Sequence, residues 1–127
     1  MKNYFNPKNF HLIISTSIVI PAAFIYGFRP NLVLNVNINT IDEHNIFKTI
    51  MCLYLAFSSL WILGVYNSNY WKTATISNMI FMLGLAFGRI ISTIFDGFPS
   101  NIFIIGTIGE LILGLYALQQ LNLIKHE

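Results

Sequence analysis

Three charged side chains stand in stretches of this chain that are otherwise too apolar to hold them: Arg89, Asp96 and Glu110. Arg89 and Asp96 belong to the run from Gly84 to Pro99, and Glu110 sits alone in the next apolar stretch. Charge inside a membrane-spanning segment is costly and marks a partner, a ligand or a pathway. A guanidinium can orient a carboxylate through paired N–H donors. The chemistry within reach is therefore ion pairing, or recognition of a polar group that joins the pair. At about 100° per residue Arg89, Ser92 and Asp96 share one helix face, and Asn78 joins the stripe about three turns upstream. Depth agrees with direction. At 1.5 Å per residue, Arg89 lies roughly 10 Å below the Asp96–Pro99 turn, and Glu110 roughly 12 Å below it on the returning helix. The spacing predicts an Arg89–Glu110 ion pair, with Asp96 capping the cluster nearer the surface.

Other chemistries find less support. Ser92 has no histidine near it: His11 is expected at the opposite membrane face, His44 in a connection and His126 in the tail. Without a nucleophile–base arrangement no catalytic residue is assigned, and no enzyme is expected. A metal site needs several convergent ligands. Asp96 and Glu110 are the only candidates, and Asp42, Glu43 and His44 are adjacent side chains that diverge, so no metal or cofactor is expected. His11 and Ser15, one turn apart, read as an interfacial helix start. Cys52, alone, cannot form an intrachain disulfide and reads as a small hydrophobe in an apolar run.

Composition sets the class. Only 9% of residues are charged and mean hydropathy is +0.64, against roughly a quarter charged in soluble domains. An integral membrane protein follows, with the lipid bilayer as its first partner and residues 1–127 as one domain. The net charge of +2, with no Lys/Arg cluster, excludes a nucleic-acid partner.

Apolar runs place four spans at about 10–28, 46–66, 73–95 and 102–123. Helices satisfy their own backbone in lipid, so the fold class is an all-α, four-transmembrane-helix antiparallel bundle. Pro21 should kink the first span. Residues 29–45 form an asparagine-rich connection in which Leu34, Val36 and Ile38 alternate with Asn35, Asn37 and Asn39, the period of an extended segment. Asp42 or Asn45 is expected to cap the second helix, and Lys48 to snorkel to the headgroups. Trp61, Tyr66, Tyr70 and Trp71 read as an aromatic belt. Met79, Phe81, Met82 and Phe87 are packing or lipid-facing residues, and Gln119 and Gln120 interfacial ones. Gly106, Gly114 and Ala117 share the face of Glu110 and allow close approach, whereas Gly84 and Gly88 should pack a different neighbour, another span or another subunit. Lys2, Lys8, Lys72 and Lys125 fall on one side, and Arg29 and Lys48 on the other. The positive-inside rule then puts both termini in the cytoplasm.

The string Gly88-Arg89, Ser92, Asp96-Gly97-Phe98-Pro99, followed by Glu110, resembles a bacterial family of small four-helix integral membrane proteins catalogued as a domain of unknown function, family 4345. The likeness extends from the Arg29-Pro30 pair, through a second helix opening near Phe47, to the end of the fourth helix. It implies a four-helix protein of the bacterial inner membrane and brings no activity, cofactor or substrate.

The residues leave two main readings. In one, Arg89, Asp96, Glu110, Ser92 and Asn78 form a buried polar pocket that binds or carries a small polar or amphiphilic ligand, such as a lipid. In the other, the charges only assemble helices, and the chain is an accessory subunit of a larger membrane complex or a homo-oligomer.

Overall fold

The computed structural model describes residues 3–125; Lys2 and His126, used in the reading above, lie outside the described residues. After a short 3-10 turn at Pro7–Asn9 the chain forms α1 (Phe10–Phe28). The helix runs on through Pro21, which withholds one backbone N–H from the interior. One turn, α2 (Pro30–Val33), follows with proline at its first position, where the missing N–H is not needed. Leu34 then takes an extended conformation, with ψ of 143°. The alternation that follows builds no strand among the described residues. An extended segment needs a partner strand for its ladder, and only helices surround it.

Helix α3 (Ile41–Tyr66) begins ahead of the apolar run expected from Ile46, and its cap is neither Asp42 nor Asn45. Thr40 is the N-cap of a capping box. Its Oγ1 accepts from the Glu43 backbone N–H at 3.1 Å, and the Glu43 carboxylate accepts from the Thr40 N–H at 3.0 Å. The reciprocal Thr-x-x-Glu spacing satisfies two helix-end donors at once, which a lone Asp42 could not do. Helix α4 (Ser68–Asp96) starts one residue after α3 ends, with the Asn67 side chain accepting from the Asn69 N–H at 3.0 Å. It stops at Gly97, whose φ of 98° is open to glycine and strained for other residues. Helix α5 (Asn101–Lys125) completes the chain. Helices α1, α3, α4 and α5 are each long and apolar enough to cross a membrane.

Helix α1 packs on α3, α3 on α4, and α4 on α5. Each of these three contacts depends on a missing side chain. A Cβ at Gly27 would collide with Met51, at Gly64 with Ala74, and at Gly114 with Leu83. Close backbone approach is how helices gain dispersion contact where lipid offers no hydrophobic drive. The core holds Leu12, Val19, Ala23, Trp61, Trp71, Ala74 and Met82, with Phe81 stacked edge-on to Trp61 and Tyr54 at 5.1 and 5.2 Å.

Two sequence expectations change here. Trp61 and Trp71 are buried core residues rather than belt residues, while Tyr66 and Tyr70 remain exposed. Trp61 faces α4, where its indole N–H donates to Ser77 at 3.1 Å. His11 and Ser15 do not mark an interfacial helix start, since both are fully buried against the neighbouring helices. Cys52 is exposed on α3. Gln119 is exposed and Gln120 half-buried near the end of α5.

Candidate functional site: a charged wall between two cavities

Arg89 lies near the C-terminal end of α4 and Glu110 in the first half of α5. The turn at residues 97–100 between these helices brings the two side chains together. The Arg89 Nε donates to both Glu110 carboxylate oxygens at 3.0 Å. The guanidinium also lies 5.4 Å from the centre of the Phe103 ring, within cation–π range. Glu110 engages only Nε, so the two terminal amino groups of the guanidinium stand outside the ion pair. They are the donors through which arginine grips a second carboxylate or a phosphate.

The pair forms part of the wall of a cavity of about 350 Å³ between α1, α4 and α5. Its other walls are apolar: Val19 and Ile25 from α1, Leu34 after α2, Met82 and Leu85 from α4, Leu113 from α5. Gly106 and Gly109 of α5 also line it, and a Cβ at either would meet nothing within 4 Å. A second cavity of about 460 Å³ lies on the α3 side of the guanidinium, lined by Gly84, Gly88, Ser92 and Pro99. Arg89, Tyr26, Tyr54, Leu85 and Phe103 line both cavities and form the wall between them. Gly84 and Gly88, expected to pack a neighbouring helix, instead open this second space, with nothing within 4 Å of a Cβ at either.

The five residues singled out from sequence therefore occupy three environments. Arg89 and Glu110 are joined, half-buried and on the cavity wall. Ser92 faces the second cavity but is exposed, and its hydroxyl donates to Asp96 at 3.0 Å. Asp96 is exposed as the last residue of α4 and does not close a buried three-charge cluster. Seven residues of helix, roughly 10 Å, separate it from Arg89, too far for its short side chain to join the pair. Asn78 shares the helix face but not the site. It is wholly buried, about 16 Å along the axis from Arg89 at 1.5 Å per residue, where α4 packs against the rest of the bundle.

Sequence reasoning missed Tyr26 and Tyr54, whose rings meet edge-on at 5.6 Å beside the guanidinium. The one available signal was a pair of phenol groups inside apolar runs, where an O–H needs a partner. Among the described residues, no group of three or more His, Cys, Asp or Glu side chains converges as a metal site would require.

The arrangement can do one thing well. It offers an apolar volume with a cationic donor group at its edge, the layout of a site for a molecule with one polar end. No curated protein and no solved structure matches the chain. A family model described as a domain of unknown function (DUF4345) matches residues 7–121, and the chain belongs to that family.

Proposed function

We propose that this protein is a non-enzymatic integral protein of the bacterial cytoplasmic membrane that binds or carries a small amphiphile, with a lipid as the leading candidate. The apolar part of the ligand would fill the cavity between α1, α4 and α5, and its polar end would meet Arg89 and Glu110. One observation carries this reading: the cavity of about 350 Å³, lined mainly by apolar side chains, with the ion pair and the Tyr26 and Tyr54 phenols in its wall. That volume falls within the roughly 300–1,000 Å³ of small-molecule sites. A purely structural ion pair has no need of an open volume beside it, or of two glycines that keep the volume clear.

The orientation belongs to the same proposal. Contacts pair Leu83 with Gly114 and Arg89 with Glu110, so positions rise on α4 as they fall on α5, which supports an antiparallel bundle. Both termini would lie in the cytoplasm, and the Arg89 end of the bundle would face the outer leaflet. Large apolar side chains on the outside, including Ile80, Ile94, Ile105 and Ile112, suit contact with lipid tails.

Native mass spectrometry of the gently solubilised protein, with identification of copurifying lipids, tests the proposal. A reproducible lipid or small molecule, lost on Arg89→Gln, is expected. The competing reading, a subunit of a larger complex, draws on Phe95 and Phe98, which are strongly exposed beside the turn after α4. A stable protein partner with no retained small molecule would favour it.

A further inference from the structure

The half of the bundle away from Arg89 contains a second set of polar side chains that the proposed ligand does not reach. His11, Ser15, Thr75 and Asn78 are each 0% exposed, and Ser58 is 1% exposed. One bond joins them, between His11 Nε2 and Thr75 Oγ1 at 2.9 Å. The His11 Nδ1, the Ser15 and Ser58 hydroxyls, and both the nitrogen and the oxygen of the Asn78 carboxamide have no partner within the protein.

These groups come from three helices and fall within about 8 Å of one another along the bundle axis, at 1.5 Å per residue. His11 bonds Thr75, and one turn earlier the Trp71 indole donates to the Lys8 carbonyl, a steady offset of 63 or 64 positions between α4 and the start of α1. The same offset sets Ser15 beside the turn of Asn78. The Trp61–Ser77 bond holds α3 at this height, and Ser58 lies one turn from Trp61.

The unpaired hydroxyls are informative because five others in these helices take the easy alternative, although the Thr16 hydroxyl is also without a partner. Ser17, Thr49, Ser59, Thr93 and Thr107 each donate to the carbonyl four residues earlier in their own helix. Ser15 and Ser58 do not, although that bond is open to them. A carboxamide has two donors and two acceptor lone pairs, and a buried one left empty is among the least favourable groups in a protein interior. Apolar surroundings and lipid outside offer nothing to replace them.

We propose that this layer is an internal water site, holding at least one ordered water shared among His11 Nδ1, Ser15, Ser58 and Asn78. Water offers two donors and two acceptors and so complements a set that mixes both kinds. The layer has a cover. Trp71 and Tyr116 close over the imidazole at 6.1 and 5.9 Å, and they donate to the Lys8 and Pro7 carbonyls at 3.3 and 2.6 Å. Outside that cover lies a cavity of about 240 Å³ lined by Tyr4, Lys8, Asn9 and Trp71.

Water-edited solid-state NMR of the isotope-labelled full chain in lipid bilayers tests this. Magnetisation from water should reach the Asn78 carboxamide and the His11 ring in the unmodified protein. In Asn78→Leu, which removes a partner of the shared water, transfer to His11 should be lost. Absence of transfer to Asn78 in the unmodified protein overturns the proposal. So does transfer to His11 that is unchanged in Asn78→Leu, since water would then reach the imidazole from the surface alone. Should the variant fail to fold, the measurement on the unmodified protein decides.

Discussion

At the scale of single residues, the sharpest question is what Arg89 and Glu110 do for each other. Removing one charge strands its partner in a poorly solvated place. Glu110→Gln should therefore cost about 1–3 kcal/mol of stability, less than the roughly 3–5 of a fully buried pair, because the two side chains keep 21% and 12% exposure. The double change Arg89→Gln with Glu110→Gln should recover most of that loss in thermal unfolding, since neither charge is left alone. Its ligand should still be gone. A double variant that folds and retains the ligand would make the pair purely structural. The glycines give a complementary test. Gly109→Val points into open space, so the melting temperature should hold or rise while the copurifying ligand is lost. Gly114→Val, which collides with Leu83, should instead destabilise the bundle.

At the scale of elements, ends matter more than interiors. The interiors of α1, α3, α4 and α5 are predominantly apolar, and a low-dielectric setting favours helix there because each segment satisfies its own backbone. Their ends carry specific chemistry. Thr40→Ala removes the hydroxyl that accepts from the Glu43 N–H, leaving only the backbone bond to the Glu43 carboxylate, and should cost about 1 kcal/mol, while Thr40→Ser should restore most of it. Gly97 has φ 98° and ψ 179°, a region essentially closed to side chains. Gly97→Ala should cost about 1–3 kcal/mol and disturb the turn that sets Arg89 against Glu110. Thermal unfolding reads both. The Thr40 box is legible in the sequence as a Thr-x-x-Glu spacing, but Asp42 and Asn45 are equally good cap residues by type, and only the backbone bend at Thr40 selects among them. The single turn at Pro30–Val33 had only the proline to announce it, and one turn is too short for any apolar period to register.

At the scale of the whole molecule, the antiparallel bundle with cytoplasmic termini is tested by side-specific labelling. In a Cys52→Ser background, a membrane-impermeant thiol reagent should modify Ser68→Cys from the cytoplasmic side and Asn101→Cys from the outer side. Modification of both from one side would break the proposed topology. The two ends of the bundle also differ in kind. The Arg89 end contains open volume beside a charge pair, and the His11 end is closed and polar inside. A membrane protein that loads its ligand from one leaflet has a use for that asymmetry.

The sequence by itself determined the helical class, the number of long apolar helices and the meeting of Arg89 with Glu110. Each follows from local quantities: apolar run length, turn residues, and equal depth on two helices joined by a tight turn. Tertiary structure decided what no single helix could show. Asn78, Arg89, Ser92 and Asp96 share one face of α4, but that face passes from a closed core to a cavity wall to an exposed end, because the neighbouring helices cover only part of its length. Trp61 and Trp71 became core residues for the same reason: a helix end is interfacial only where nothing packs over it. The cavities themselves arise from glycines. Gly64 and Gly114 let helices touch, whereas Gly84, Gly88, Gly106 and Gly109 leave space beside the guanidinium. All of these are the same residue in sequence, and only the position of the neighbouring helix makes one a contact and another a void.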